Sequence, residues 1–163
     1  METIDAEAHV SDADDPVTQW VTFHLEDEKY GVPVQQVKEV LRYSEITPVP
    51  GAPDYVLGII NLRGNVVTIL DTRKRFALPP REVDDDTRIL ILEVAEQTVG
   101  ILVDSVSEVM RLRASEIETA PNVGNDESSK YIQGVASRDS HLLILVDLDK
   151  LLSDSEWQDV ANV

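Results

Sequence analysis

Three histidines, His9, His24 and His141, are the first candidates for acid–base or metal chemistry, and none has a second histidine or a carboxylate at ligand spacing. No metal site is expected from them. Asp71 and Asp147 could be offered as a carboxylate pair, but each follows an apolar strand and opens a short helical pattern, where capping explains both. Asp104 follows a strand and reads as a turn residue. The chain has no cysteine, which excludes thiol catalysis, thiolate metal sites and disulfides. It has no phosphate-cradling glycine loop and no nucleophile elbow. No enzyme and no cofactor are expected, so the remaining chemistry is that of binding. For binding, Arg63 stands out, because it occupies the tip of a hairpin in a chain where acids outnumber bases 31 to 14. A side chain at a tip cannot serve the core.

The element that carries Arg63 is GIINLRGNVVTILDTRKRF, Gly58 to Phe76. Two apolar runs, Leu57 to Leu62 and Val66 to Leu70, flank Arg63-Gly64-Asn65, in which glycine supplies the positive φ of a tight turn. The stretch has a second copy. With Gly58 set on Gly134 it lies beside GVASRDSHLLILVDLDKLL, at an offset of 76 residues, with Asp71/Asp147 and Lys74/Lys150 also identical. YGVPVQQVKEVLR from Tyr30 likewise matches VGILVDSVSEVMR from Val99 at an offset of 69. Gly31/Gly100, Val34/Val103, Val37/Val106, Glu39/Glu108, Val40/Val109 and Arg42/Arg111 are identical there. Two blocks in one order, matching at charged as well as apolar positions, indicate an internal duplication whose second copy carries 7 more residues in its middle loop.

Formal net charge is −17, with six acids and no base in the first 16 residues. The remaining 25 acids and 14 bases leave −11 spread over the folded part. Lysine is scarce, at 5 against 9 arginines. Repulsion at this density is strong in dilute salt and is screened near molar salt, so a salt-rich, halophilic cytoplasm is the expected setting. The same charge argues against nucleic acid and against anionic lipid as partners. No apolar run approaches the roughly 20 residues of a membrane span and no leader pattern is visible, so a cytoplasmic protein without membrane insertion is expected.

Residues 1–16 read as a disordered acidic tail without periodicity. Trp20 to Leu25 and Tyr30 to Val34 read as strands; Gln35 to Leu41 suggests one helical turn that runs into a short strand. Thr47 to Tyr55, with three prolines and a glycine, is a loop with at most one helical turn. After the Gly58 hairpin, Asp71 caps a helix over Thr72 to Phe76, and LPPREVDDD from Leu78 links the copies. Arg88 to Val94 reads as a strand buried on both faces, Thr98 to Val103 as its partner and Asp104 to Val109 as a turn. Tyr131 to Ala136 and Leu142 to Val146 form the second hairpin, and Asp147 caps a last helix from Leu148 to about Val160. Each copy then supplies about five short antiparallel strands, the pattern of a small barrel. The expected fold is all-β, with two five-stranded barrel subdomains side by side over a shared apolar seam and repeat copies at about 17–77 and 87–152. Residues 154–163 are a C-terminal tail or helix end.

The sequence G-x-x-N-L-R-G followed by an apolar strand and Asp71 resembles the CheW family of chemotaxis adaptors. EKYGVPVQQVKEVL from Glu28, VGILVDSVSEV from Val99 and LLILVDLDKLL from Leu142 extend the resemblance to about Val17–Ser153. It departs from the family at Thr68, where proline is frequent, and in the acidic loop Gly124 to Ser129. The resemblance implies interleaved SH3-like barrels, no catalysis, and a scaffold that couples membrane chemoreceptors to the histidine kinase CheA. It implies a receptor hairpin tip docked in an apolar groove whose lining and rim are Val37, Glu39, Gly58, Arg63 and Val99. Contacts to the kinase regulatory domain are not assigned by it, and the acidic loop bars their transfer onto Ile117 to Val123. On the residues alone, a detached regulatory domain of the kinase and an unrelated acidic peptide-binding barrel remain open.

Overall fold

The computed structural model describes residues 15–119, 131–138 and 140–162. In chain order the strands are β1 (Val17–Leu25), β2 (Glu28–Pro33), β3 (Val37–Arg42), β4 (Val56–Leu62), β5 (Asn65–Leu70) and β6 (Arg88–Val94). They continue with β7 (Gln97–Val103), β8 (Ser105–Arg113), β9 (Ile117–Thr119), β10 (Ile132–Arg138) and β11 (His141–Val146). Two short helices, α1 (Thr72–Arg75) and α2 (Asp154–Ala161), complete the described elements together with single 3₁₀ turns.

The strands form two sheets, β8-β1-β2-β11-β10-β9 and β3-β6-β7-β5-β4. We call the first barrel A and the second barrel B. Both draw on both copies of the repeat: β1–β2 of the first copy completes barrel A, and β6–β7 of the second completes barrel B. The copies have therefore exchanged their opening hairpins, and a contiguous copy is not a barrel. Exchange also introduces one parallel pair into each sheet, where all pairs were expected antiparallel. Gly31 of β2 lies opposite Leu145 of β11, and Gly100 of β7 lies opposite Ile69 of β5. At the offsets of 69 and 76 these two pairs are equivalent. Barrel A has six strands rather than five; the counterpart of β9 in barrel B is reduced to one bridge between Thr47 and Ile59.

Where the local reading was wrong, a bulge or a cap explains it. Val37, Val40 and Leu41 mimic helical spacing because β3 shifts register against β6 between Val37 and Glu39. Only Val34–Gln36 makes a 3₁₀ turn. The expected turn over Asp104 to Val109 is confined to Asp104, and β8 runs on from Ser105. Residues 1–14 of the expected tail lie outside the described residues, but Asp15 is fixed. Its carboxylate accepts from the Ser115 amide (2.7 Å) and hydroxyl (2.8 Å), and the Pro16 carbonyl accepts from the Ala114 amide. The helix expected from Leu148 to about Val160 is broken into a 3₁₀ turn at Leu148–Lys150 and the separate helix α2, which occupies the segment expected as a tail or helix end. Ser153 and Glu156 form a capping box, and α2 buries Trp157 and Val160.

Each barrel has its own small core, with Trp20, Leu112 and Leu145 in A and Ile69, Ile89 and Ile91 in B. The expected shared seam is the largest cluster, running from Phe23, Leu25 and Val32 through Leu90 and Leu92 to Trp157 and Val160. Rings of Phe23, Tyr30, Phe76 and Tyr131 follow one another at 5.8, 5.2 and 5.3 Å. Tyr55 and Tyr131 are repeat equivalents, and their carbonyls accept from the amides of the equivalent caps Asp71 and Asp147. Arg75 joins the two, with its guanidinium 5.4 Å from the Tyr55 ring and 5.9 Å from the Tyr131 ring. It also donates to both carboxylate oxygens of Glu156 (2.9 and 3.1 Å) and to the Leu151 carbonyl.

Burial pushes the Glu156 carboxyl up, but the Ser153 amide and the Arg75 guanidinium outweigh it, and the net shift is downward. A carboxyl held low when folded contributes stability that is present above its unfolded value, about 4.3, and is lost as pH falls through the folded value. Acid should therefore cost the parent more than Arg75→Met over that window. Melting curves at neutral pH and through the acid range check this, and parallel losses in both proteins would contradict it.

Candidate interaction site

The hairpin turn between β4 and β5 is built from Arg63 (φ 50°) and Gly64 (φ 88°), both left-handed, as a two-residue turn requires. Glycine accepts this conformation freely, whereas an arginine there is uncommon and strained. The Asn61 side chain accepts from the Gly64 amide at 2.9 Å and steadies the turn. The Arg63 guanidinium donates to both carboxylate oxygens of Glu39 on β3, at 2.9 and 2.6 Å. The side chains are 68% and 30% exposed. The hydrogen bond from Arg63, and to a smaller extent its charge, holds the Glu39 carboxyl below its usual value. A planar fork presented at the surface in fixed orientation can pair with a second carboxylate, amide or carbonyl from outside.

Of the five residues expected at the site, the structure joins Glu39 and Arg63 directly. Val37 is half-buried at the start of the same strand and packs against the shared core. Gly58 and Val99 are not surface contacts. Val99 is 1% exposed and belongs to the seam. Gly58 lies where β4 shifts register against β5, and a Cβ there would stand 2.2 Å from the Thr47 carbonyl oxygen. Its repeat equivalent Gly134 would meet the Glu118 carbonyl at 2.8 Å. Of the segment Ile117 to Val123, residues 117–119 are β9 and the rest lies outside the described residues.

Sequence reasoning missed the counterpart of this site on barrel A. Glu108, the equivalent of Glu39, accepts from Lys29 at 2.7 Å; position 139, equivalent to Arg63, is an aspartate. It also undervalued Asp104. That carboxylate accepts from Arg73 (2.5 Å), from Arg81 (2.8 Å) and from the Glu26 amide (2.8 Å), and Arg73 also pairs with Glu26. Asp104 stands where the chain passes from β7 of barrel B to β8 of barrel A, a crossing that no local pattern marks. Exposed large apolar residues also follow the repeat: Val40 (43%) matches Val109 (53%), and Val66 (65%) matches Leu142 (49%).

Among the described residues no group of three or more His, Asp or Glu could hold a metal ion, and no helix is long and apolar enough to cross a membrane. Two interleaved barrels, with charged and apolar side chains displayed on each, define a double-barrel interaction module. Residues 19–156 match the CheW-like domain family, and the chain belongs to that family. It is 37% identical over 145 residues to the chemotaxis protein CheW of Klebsiella aerogenes, covering 89% of this chain and 87% of that one. It is 36% identical over 145 residues to the CheW protein of Bacillus subtilis, covering 86% and 93%. The crystal structure of the scaffolding protein TtCheW from Thermoanaerobacter tengcongensis superposes with a TM-score of 0.78 at 34% identity, over 85% of this chain and 94% of that one.

Proposed function

We propose that this chain is a non-catalytic chemotaxis scaffold that couples membrane chemoreceptors to the histidine kinase CheA. The observation that carries the reading is the repetition of surface features across the barrels. An adaptor needs two attachment faces, and Glu39, Val40 and Val66 on barrel B are matched by Glu108, Val109 and Leu142 on barrel A. The relatives named as chemotaxis CheW proteins support a role in chemotaxis, and receptor and kinase are the partners that the CheW-like family implies. On this reading the protein works beside the membrane without entering it. The Glu39–Arg63 fork, with Val37 below it, is the rim of the receptor contact. Gly58 and Val99 act from beneath, as the residues that set the strands supporting it.

The test is Arg63→Glu, which replaces the fork with two carboxylates facing each other. Binding of a receptor hairpin fragment should weaken more than tenfold, whereas the melting temperature should hardly move, because an exposed ion pair contributes little to stability. The charge-exchanged variant Arg63→Glu with Glu39→Arg separates the roles: it restores a pair within the chain but presents it reversed, and binding should stay weak. Unchanged affinity in Arg63→Glu would remove the fork from the contact.

The surface charge makes a second prediction. If the protein works in a salt-rich cytoplasm, its melting temperature should rise from dilute to molar salt as repulsion among 31 acids is screened. Equal melting at both salts would argue against that setting.

A further inference from the structure

At the end of barrel B away from the Arg63 tip's partner Glu39, strands β3 and β6 set Arg42 directly opposite Arg88. Among the described strand pairs this is the only place where two permanently charged side chains of one sign face each other. Directly opposed residues share one face of the sheet, and like charges there are destabilising. The repeat sharpens the contrast. At the offset of 69 the same ladder position in barrel A pairs Gln19 with Arg111, so the second copy carries an arginine where the first carries a glutamine.

Neither guanidinium has a carboxylate within ion-pair distance among the described residues. Arg88 is half-buried and held in place, since its Nη1 donates to the carbonyls of Asp85 (2.8 Å) and Thr87 (2.9 Å). The rest of its fork has no acceptor among the described residues, and Arg42 is exposed. Both arginines line a shallow concavity of about 520 Å3 together with Tyr43 and Val83, two of the exposed large apolar side chains. Asp84 and Asp85 line it as well but do not neutralise the pair. The Asp84 carboxylate is committed to the Asp86 amide, the Thr87 hydroxyl and Arg81, and that of Asp85 reaches neither guanidinium.

We propose that this concavity binds a small monocarboxylate with an apolar body, such as an aromatic acid. Its carboxylate accepts from the Arg42 and Arg88 guanidiniums and removes their repulsion, and its body lies against Tyr43 and Val83. Guanidinium forks fit carboxylate and phosphate alike, but the two aspartates beside them disfavour a second negative charge on the ligand. A few polar groups converging beside apolar surface is the general form of a small-molecule site. Barrel A has glutamine in place of the second fork and lacks the site.

The probe is phenylpropionate, set against its uncharged amide and against inorganic phosphate. Binding to the full chain is followed by amide NMR shifts in dilute buffer, with melting curves alongside. Phenylpropionate should shift the amides of Tyr43, Thr87 and Arg88 saturably and bind about tenfold or more tightly than either comparison compound. Arg42→Gln, which copies the Gln19–Arg111 arrangement of barrel A, should weaken binding about tenfold without lowering the melting temperature. Arg42→Glu should abolish binding and raise the melting temperature, because its own carboxylate then faces Arg88. Arg111→Gln on barrel A should leave binding unchanged. Equal binding of phosphate would overturn the proposal and leave only a place where any anion gathers. Absence of saturable binding would also overturn it, as would unchanged binding in Arg42→Gln. A fall in the melting temperature of Arg42→Gln with binding intact would make the facing arginines a structural pair instead.

Discussion

Gly58→Val should abolish the stable fold or lower its stability by about 3 kcal/mol or more, an exceptional cost for one substitution. A Cβ at Gly58 would lie 2.2 Å from the Thr47 carbonyl oxygen, 2.7 Å from its carbonyl carbon and 2.9 Å from the Ile46 side chain. The first two are backbone atoms, and they cannot swing aside as a flexible side chain could. The Thr47 carbonyl is also committed, since it accepts from the Ile59 amide while the Thr47 amide donates to the Ile59 carbonyl, each at 2.9 Å. Relief of the clash requires that this bridge open, and with it the crossing of the loop over β4. Positive φ at Gly58 (155°) adds strain for any branched residue. At 2–4 °C per kcal/mol for a chain of this size, a fall in melting temperature of roughly 6 °C or more is expected. The control is Gly64→Asn, where a Cβ meets nothing within 4 Å and asparagine tolerates the left-handed turn. A Gly58→Val protein that melts with the parent would show that the close approach is not present in solution.

Trp157→Ala should cost about 3–5 kcal/mol, the range for removal of a large buried aromatic. The ring is 5% exposed within the cluster shared by both barrels. Its indole N–H donates to the Asp149 carbonyl at 3.1 Å, and its own carbonyl accepts from the Gln97 side chain at 2.8 Å. A helix of eight residues has little stability of its own, so α2 is held by these contacts and by the Arg75–Glu156 pair. Loss of the ring should release the helix before the sheets. Hydrogen exchange should then show α2 amides opening with a free energy far below that of β6 and β7, while the parent protects both. Uniform loss of protection across the chain would show instead that α2 and the barrels unfold as one unit.

How far the sequence alone determined this protein can be read from particular residues. The duplication, the hairpin at Arg63-Gly64, the caps Asp71 and Asp147 and the apolar run Arg88 to Val94 rest on local rules of period, turn and cap, and they needed no tertiary information. The motifs around Gly58 and Asp71 likewise pointed to the CheW family before any fold was known. The exchange of β1–β2 and β6–β7 between barrels could not be read this way. Both copies present equivalent apolar hairpins, so pairing within a copy and pairing across copies satisfy the same pattern, and only three-dimensional closure over the seam distinguishes them. The two ends of Glu39–Arg63 are 24 residues apart in sequence, and nothing local indicates that β3 and the β4–β5 tip, which are not hydrogen-bonded neighbours in the sheet, come together. Gly31 and Gly58 look alike as letters. The fold gives Gly31 a side-chain neighbour at 3.3 Å that can yield, and Gly58 a carbonyl oxygen at 2.2 Å that cannot. Burial decided Val99 in the same way: strand alternation permits either face, and the tertiary structure turns it into the seam.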